Sequence, residues 1–147
     1  MNLFFYAFAA AAGMLNTVQA GANAQLRKSL DQPLLAGLVV YGTALAGLLL
    51  AALFVHWSRP TGEQLSRTPW WAWAGGILSI ASTMAGLLLA RKLGSAVFTS
   101  LTVTCSLLVS VLLDHFGWVG FEVHRANPLR LIGCGLLVGG LLLVSKF

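Results

Sequence analysis

Acidic residues are nearly missing from this chain. Asp31, Glu63, Asp114 and Glu122 are the only four, and none sits in the middle of a long apolar run. That argues against a carboxylate relay at the centre of a bilayer, and it leaves a tightly held cation without ligands. Cysteine is scarce as well. Cys105 and Cys134 each lie in apolar sequence with no CxxC or Cys/His spacing, which reads as two buried free thiols and says nothing about redox compartment. His56, His115 and His124 share loops with Glu63, Asp114 and Glu122, but no ligand spacing links them, so no metal and no other cofactor is expected. No phosphate loop, Ser/His/Asp set or metallopeptidase helix is present.

What fills the chain instead is apolar sequence: 58% of its 147 residues are apolar, 9% are charged, and sixteen are glycine. A helix rises 1.5 Å per residue, so roughly 20 residues cross about 30 Å of hydrocarbon. Stretches of that length run from about Asn2 to Leu26, Pro33 to Trp57, Trp70 to Ala90, Gly94 to Leu113 and Pro128 to Phe147. The spacing predicts an all-α polytopic membrane protein, a single domain of five transmembrane helices with short loops. A soluble enzyme and a nucleic-acid binder are excluded on these grounds. The net charge of +5 then reads as basic anchors at helix ends against lipid headgroups. Ala22-Asn23-Ala24 before Gln25 resembles a small-residue cleavage site, but no basic residue precedes the apolar core, so a retained first helix is expected.

Each span changes the side of the membrane. Arg27, Lys28, Arg91, Lys92 and Lys146 fall on one side, and Arg59, Arg67, Arg125 and Arg130 on the other. The positive-inside rule has almost nothing to act on. Trp57, Trp70, Trp71, Trp73 and Trp118 all fall on the second side, although membrane proteins usually carry an aromatic belt at both interfaces. An odd number of spans, an even charge balance and a single belt suit a chain that inserts both ways and pairs with an inverted copy.

Two polar stripes interrupt the apolar helices. Asn16, Gln19 and Asn23 stand at i, i+3 and i+7, within an arc of about 60° of one helix face. Amides facing lipid are costly and normally look into a bundle or a watery cavity. They are candidate substrate-binding groups; the alternative is interhelical hydrogen bonding. In the fourth span Ser95, Thr99, Thr102, Ser106 and Ser110 share a face, with Thr99, Thr102 and Ser106 as candidate lining groups. Hydroxyls can bond their own backbone, so close packing is the competing role. Asp114-His115 at that span's end is a candidate for proton coupling; the plainer reading is an interfacial helix end reaching water. Small residues mark packing faces: Thr43, Gly47 and Ala51; Gly75, Ser79, Ser82 and Gly86; and Gly135, Gly139 and Gly140, the last set being the candidate dimer contact.

Three stretches carry a family resemblance: Gly13-Met14-Leu15-Asn16-Thr17-Val18-Gln19-Ala20-Gly21-Ala22-Asn23-Ala24-Gln25-Leu26-Arg27; Trp70-Trp71 with Gly75-Gly76; and Asp114-His115-Phe116-Gly117 with Arg130-Leu131-Ile132-Gly133. With these the chain resembles, over essentially its whole length, the YdcZ-like five-helix branch of the drug/metabolite transporter superfamily. The resemblance implies a bacterial inner-membrane protein, in a superfamily whose larger members contain two inverted five-helix halves. It supplies a class rather than a ligand. Small multidrug-type relatives use a glutamate in the first helix, where this chain has amides and no acid. The resulting expectation is a transporter of a small, neutral or weakly polar metabolite. It would act by alternating access as an antiparallel homodimer of ten helices, with lipid and substrate as its other partners. The alternatives are a non-transporting scaffold or accessory subunit, and one half of a heterodimeric transporter.

Overall fold

The structure is a computed structural model and describes residues 3–147; Asn2, the expected start of the first span, lies outside the described residues. The chain is an all-α polytopic membrane protein, and the described residues contain no strand. Five helical stretches are long and apolar enough to cross a bilayer. They belong to two compact units, Met1–Arg91 and Lys92–Phe147.

The first unit begins with α1 (Leu3–Leu30), which passes beyond Leu26 because Arg27 and Lys28 are good helix formers. Their charge marks the edge of the hydrocarbon, not the end of the helix. Asp31, at φ 53°, ends it in the left-handed region, and its N–H reaches the Arg27 carbonyl at 2.9 Å. Aspartate tolerates that conformation better than most residues. Pro33 then opens α2 (Pro33–Ala52) at a position that needs no N–H. This helix stops short of the expected Trp57. Leu53 to Val55 close it as a turn, with the Val55 N–H bonded to the Ala51 carbonyl at 3.2 Å. Apolar character continues past the last helical residue, so composition overstated the helix.

A short α3 (Gly62–Arg67) follows inside what reads from sequence as a loop. Thr61 and Gln64 form a reciprocal capping box that satisfies two otherwise orphaned N–H groups. Trp70–Ala74 is a tighter 3₁₀ turn that leads into α4 (Gly75–Leu93), so this span ends at Leu93, beyond the expected Ala90. Helices α1 and α2 pack together. Against α4, α2 presents Gly37, where an added side-chain carbon would collide with the Met84 methyl group. Tyr41 lies one turn further on, hydrogen-bonded to Ser79 and Thr83. The small-residue face expected on α2 (Thr43, Gly47, Ala51) is roughly a quarter-turn away. Thr43 bonds back to the Val39 and Val40 carbonyls, and Gly47 faces open space.

The second unit holds α5 (Ser95–Phe116) and α6 (Pro128–Lys146), packed against each other. Gly94, at φ 84°, precedes α5 in a conformation that only glycine adopts without strain. α5 runs to Phe116, past the expected Leu113, and Gly117 caps it in the left-handed region at φ 65°. The Asn127 side chain accepts the Arg130 N–H at 2.8 Å, and Pro128 takes the first helical position of α6. Thr104 and Cys134 are the buried residues of this unit's helices, whereas Cys105, expected to be buried, is exposed because it lies on a face of α5 that α6 does not cover.

Candidate functional site

Because α1 is continuous, its amides stay in register on one face. Asn16 and Gln19 are exposed and Asn23 is half-buried. Ala12, Gly13, Leu15, Asn16, Val18 and Gln19 line a shallow, open stretch of this helix's surface. Asn23 is not part of the lining. The side-chain hydrogen bonds of α1 run from Thr17 to the Gly13 carbonyl at 3.3 Å and from Ser29 to the Gln25 carbonyl at 3.2 Å. Neither engages the three amides. An amide placed in hydrocarbon without a partner costs roughly 2 to 7 kcal/mol. Three such groups on one face need water, a ligand or a second chain beside them.

The hydroxyl stripe of α5 belongs to the second unit. Thr99 is half-buried, while Thr102 and Ser106 are exposed. The Thr102 hydroxyl lies 3.0 Å from both the Phe98 and the Thr99 carbonyls, so its helix satisfies it internally. The buried hydroxyl of α5 is Thr104, outside the expected set. On α6, a side-chain carbon at Gly135, Gly139 or Gly140 would meet nothing within 4 Å, so these positions are not packed within their own unit.

Asp114 and His115 lie in a network that joins the end of α5 to the start of α6. Arg130 Nη1 is 3.5 Å from Asp114 Oδ2 and donates to the His124 carbonyl at 3.1 Å. The Asp114 carbonyl accepts the His124 N–H at 2.8 Å. His115 Nδ1 accepts the Ala126 N–H at 3.1 Å, so the ring carries its proton on Nε2. Phe116 meets the His115 ring edge-on and stacks on Trp118 at 4.9 Å. Among the described residues no group of three or more His, Cys, Asp or Glu could hold a metal ion.

Sequence reasoning passed over Tyr41. Its hydroxyl is 2.9 Å from Ser79 Oγ and 2.9 Å from Thr83 Oγ1, a three-hydroxyl clip between α2 and α4. A tyrosine eight residues into an apolar helix needs a partner for its O–H, and Ser79 and Thr83 are spaced i, i+4 on one face to supply it. The sequence shows the need for a partner but not which helix supplies it.

A family model described as "DMT_YdcZ: Putative inner membrane exporter, YdcZ" matches residues 4–143. No curated protein and no solved structure matches the chain.

Proposed function

The chain belongs to the YdcZ family of inner-membrane exporters, and on that premise we propose that it moves a small, neutral or weakly polar metabolite by alternating access as an antiparallel homodimer. The observation that carries this reading is the amide face of α1, where Asn16 and Gln19 stand exposed without a fixed charge beside them. Amides offer donors and acceptors together, which fits a hydrogen-bonding ligand better than an ion. Asn23 is the third proposed substrate-binding residue on this face; Thr99, Thr102 and Ser106 of α5 are proposed separately, as a lining face of the second unit. Thr102 takes part by releasing its backbone bond.

The near-even distribution of basic residues and the one-sided tryptophans support an inverted pair, since each copy then supplies one aromatic belt. Carriers built from inverted repeats bind near the midplane where the repeats meet. The glycines of α6 at Gly135, Gly139 and Gly140, not packed within their own unit, are the proposed dimer contact, because close backbone approach drives helix association in lipid. One protomer rocking against the other would expose the amides to each side in turn.

The test replaces Asn16 and Asn23 by Leu and measures transport and assembly separately. Lost transport with an intact dimer supports the carrier. Lost assembly makes the amides structural and the protein a scaffold. Tags at both termini test the pairing: two populations of opposite orientation support the inverted homodimer, whereas one fixed orientation requires a different partner chain.

A further inference from the structure

We propose that His115 is a proton-binding site whose occupancy releases the segment between α5 and α6. The inference does not depend on the transport reading, because it rests on the second unit alone. Nδ1 of His115 accepts the backbone N–H of Ala126, eleven residues further on. An imidazole nitrogen accepts only while it carries no proton; in imidazolium both nitrogens are donors. Binding a second proton therefore sets an N–H against an N–H, and this tie to the Ala126 end of the segment becomes repulsive.

The surroundings make this tie important to the segment. Residues Phe121 to Asn127 have no regular structure of their own. At its near end the segment turns tightly through Gly117, Val119 and Gly120, all at positive φ. Val119 is β-branched and strained there, and the turn is closed by the Phe121 N–H on the Trp118 carbonyl at 3.2 Å. Further along, the segment is held by the Asp114–His124 backbone bond, the Arg130–His124 bond and the His115–Ala126 bond. Of these, only the last uses an acceptor that is itself removed by a proton.

The charged and titratable groups at this end of the unit are Asp114 on α5, Glu122, His124 and Arg125 on the connection, and Arg130 on α6. Asp114 is the counter-ion of Arg130. His124 directs its Nδ1 at the Glu122 carbonyl at 3.2 Å, where the nitrogen is the donor and no lone pair of the ring is used. The proton-sensitive function at Asp114-His115 is thus assigned to the histidine, with the carboxylate positioning Arg130.

The experiment is amide hydrogen exchange on the full chain in lipid nanodiscs, following residues 118–127 between about pH 8 and about pH 5, the interval in which imidazoles change charge. Rates are corrected for the intrinsic pH dependence of exchange. Corrected exchange in the native chain is expected to rise about tenfold as pH falls, as local opening follows loss of the bond. His115→Asn keeps an acceptor oxygen near the position of Nδ1 and cannot titrate, so its corrected profile is expected to be flat and slow. His115→Ala is expected to be flat and fast, and His124→Gln to keep the native step. A flat native profile overturns the proposal. So does a step that survives in His115→Asn or disappears in His124→Gln. If His115→Ala does not assemble, the other three chains decide the matter.

Discussion

Replacing Tyr41 by Phe removes one oxygen, and with it both hydroxyl contacts that join α2 to α4, each 2.9 Å long. Interhelical hydrogen bonds inside membranes contribute about 0.6 kcal/mol on average and about 1.7 kcal/mol at most. Two of them bound the loss between about 1 and about 3 kcal/mol. The lower end is expected, because Ser79 and Thr83 can each turn back to a carbonyl of their own helix once Tyr41 releases them. The assay is reversible unfolding of the full chain in mixed micelles, for the native protein, Y41F, S79A/T83A and the triple variant. The two parents should each lose about 1 kcal/mol, and the triple variant should lose little more than either. Additive losses would refute the reasoning, since they would mean that the three hydroxyls act on separate partners.

Three further substitutions test the packing and the caps. Gly37→Ala should cost less than about 1 kcal/mol because the Met84 thioether can swing aside, whereas Gly37→Leu should cost about 1 to 3 kcal/mol by forcing α2 and α4 apart; the same unfolding assay separates them. Gly117→Ala combines a left-handed φ of 65° with a side-chain carbon 2.7 Å from Val123 Cγ2, and should lose about 1 to 3 kcal/mol. Asn127→Ala removes the acceptor for the Arg130 N–H and should cost about 1 kcal/mol, read as faster amide exchange in the first turn of α6.

Several of these features were legible in the sequence because they depend on neighbours in the chain. Pro33 and Asn127-Pro128 mark helix starts through backbone geometry and capping chemistry, and Gly94 marks a turn that only glycine enters freely. The helix ends were read less well, since apolar composition reports what hydrocarbon accepts, not where the backbone stops coiling. So α2 ends at Ala52 although Leu53, Phe54 and Val55 are as apolar as what precedes them, and α1 continues through Arg27 and Lys28. The capping box of α3 was visible as Thr61 with Gln64 three residues on, but it sits between prolines that suggested a loop. The α2–α4 clip was harder to see. It joins residues 38 and 42 positions apart, and local spacing cannot tell which small-residue face of α2 a distant helix will choose. For the amide face the helical period was enough to align Asn16, Gln19 and Asn23. Only the structure separates the first two, which are exposed, from the third, which is half-buried.

The central claim is that water reaches the amide face of α1. It is tested most directly by placing single cysteines at Asn16, Gln19 and Met14, in a chain lacking Cys105 and Cys134, and measuring their reaction with a charged, membrane-impermeant thiol reagent. Met14 is exposed but lies on the opposite face of the helix, where lipid keeps a thiol protonated and shielded. Labelling at positions 16 and 19 at least about tenfold faster than at position 14 is the predicted result. Equal rates at all three positions would contradict it, and would leave Asn16 and Gln19 as groups that merely hold helices together.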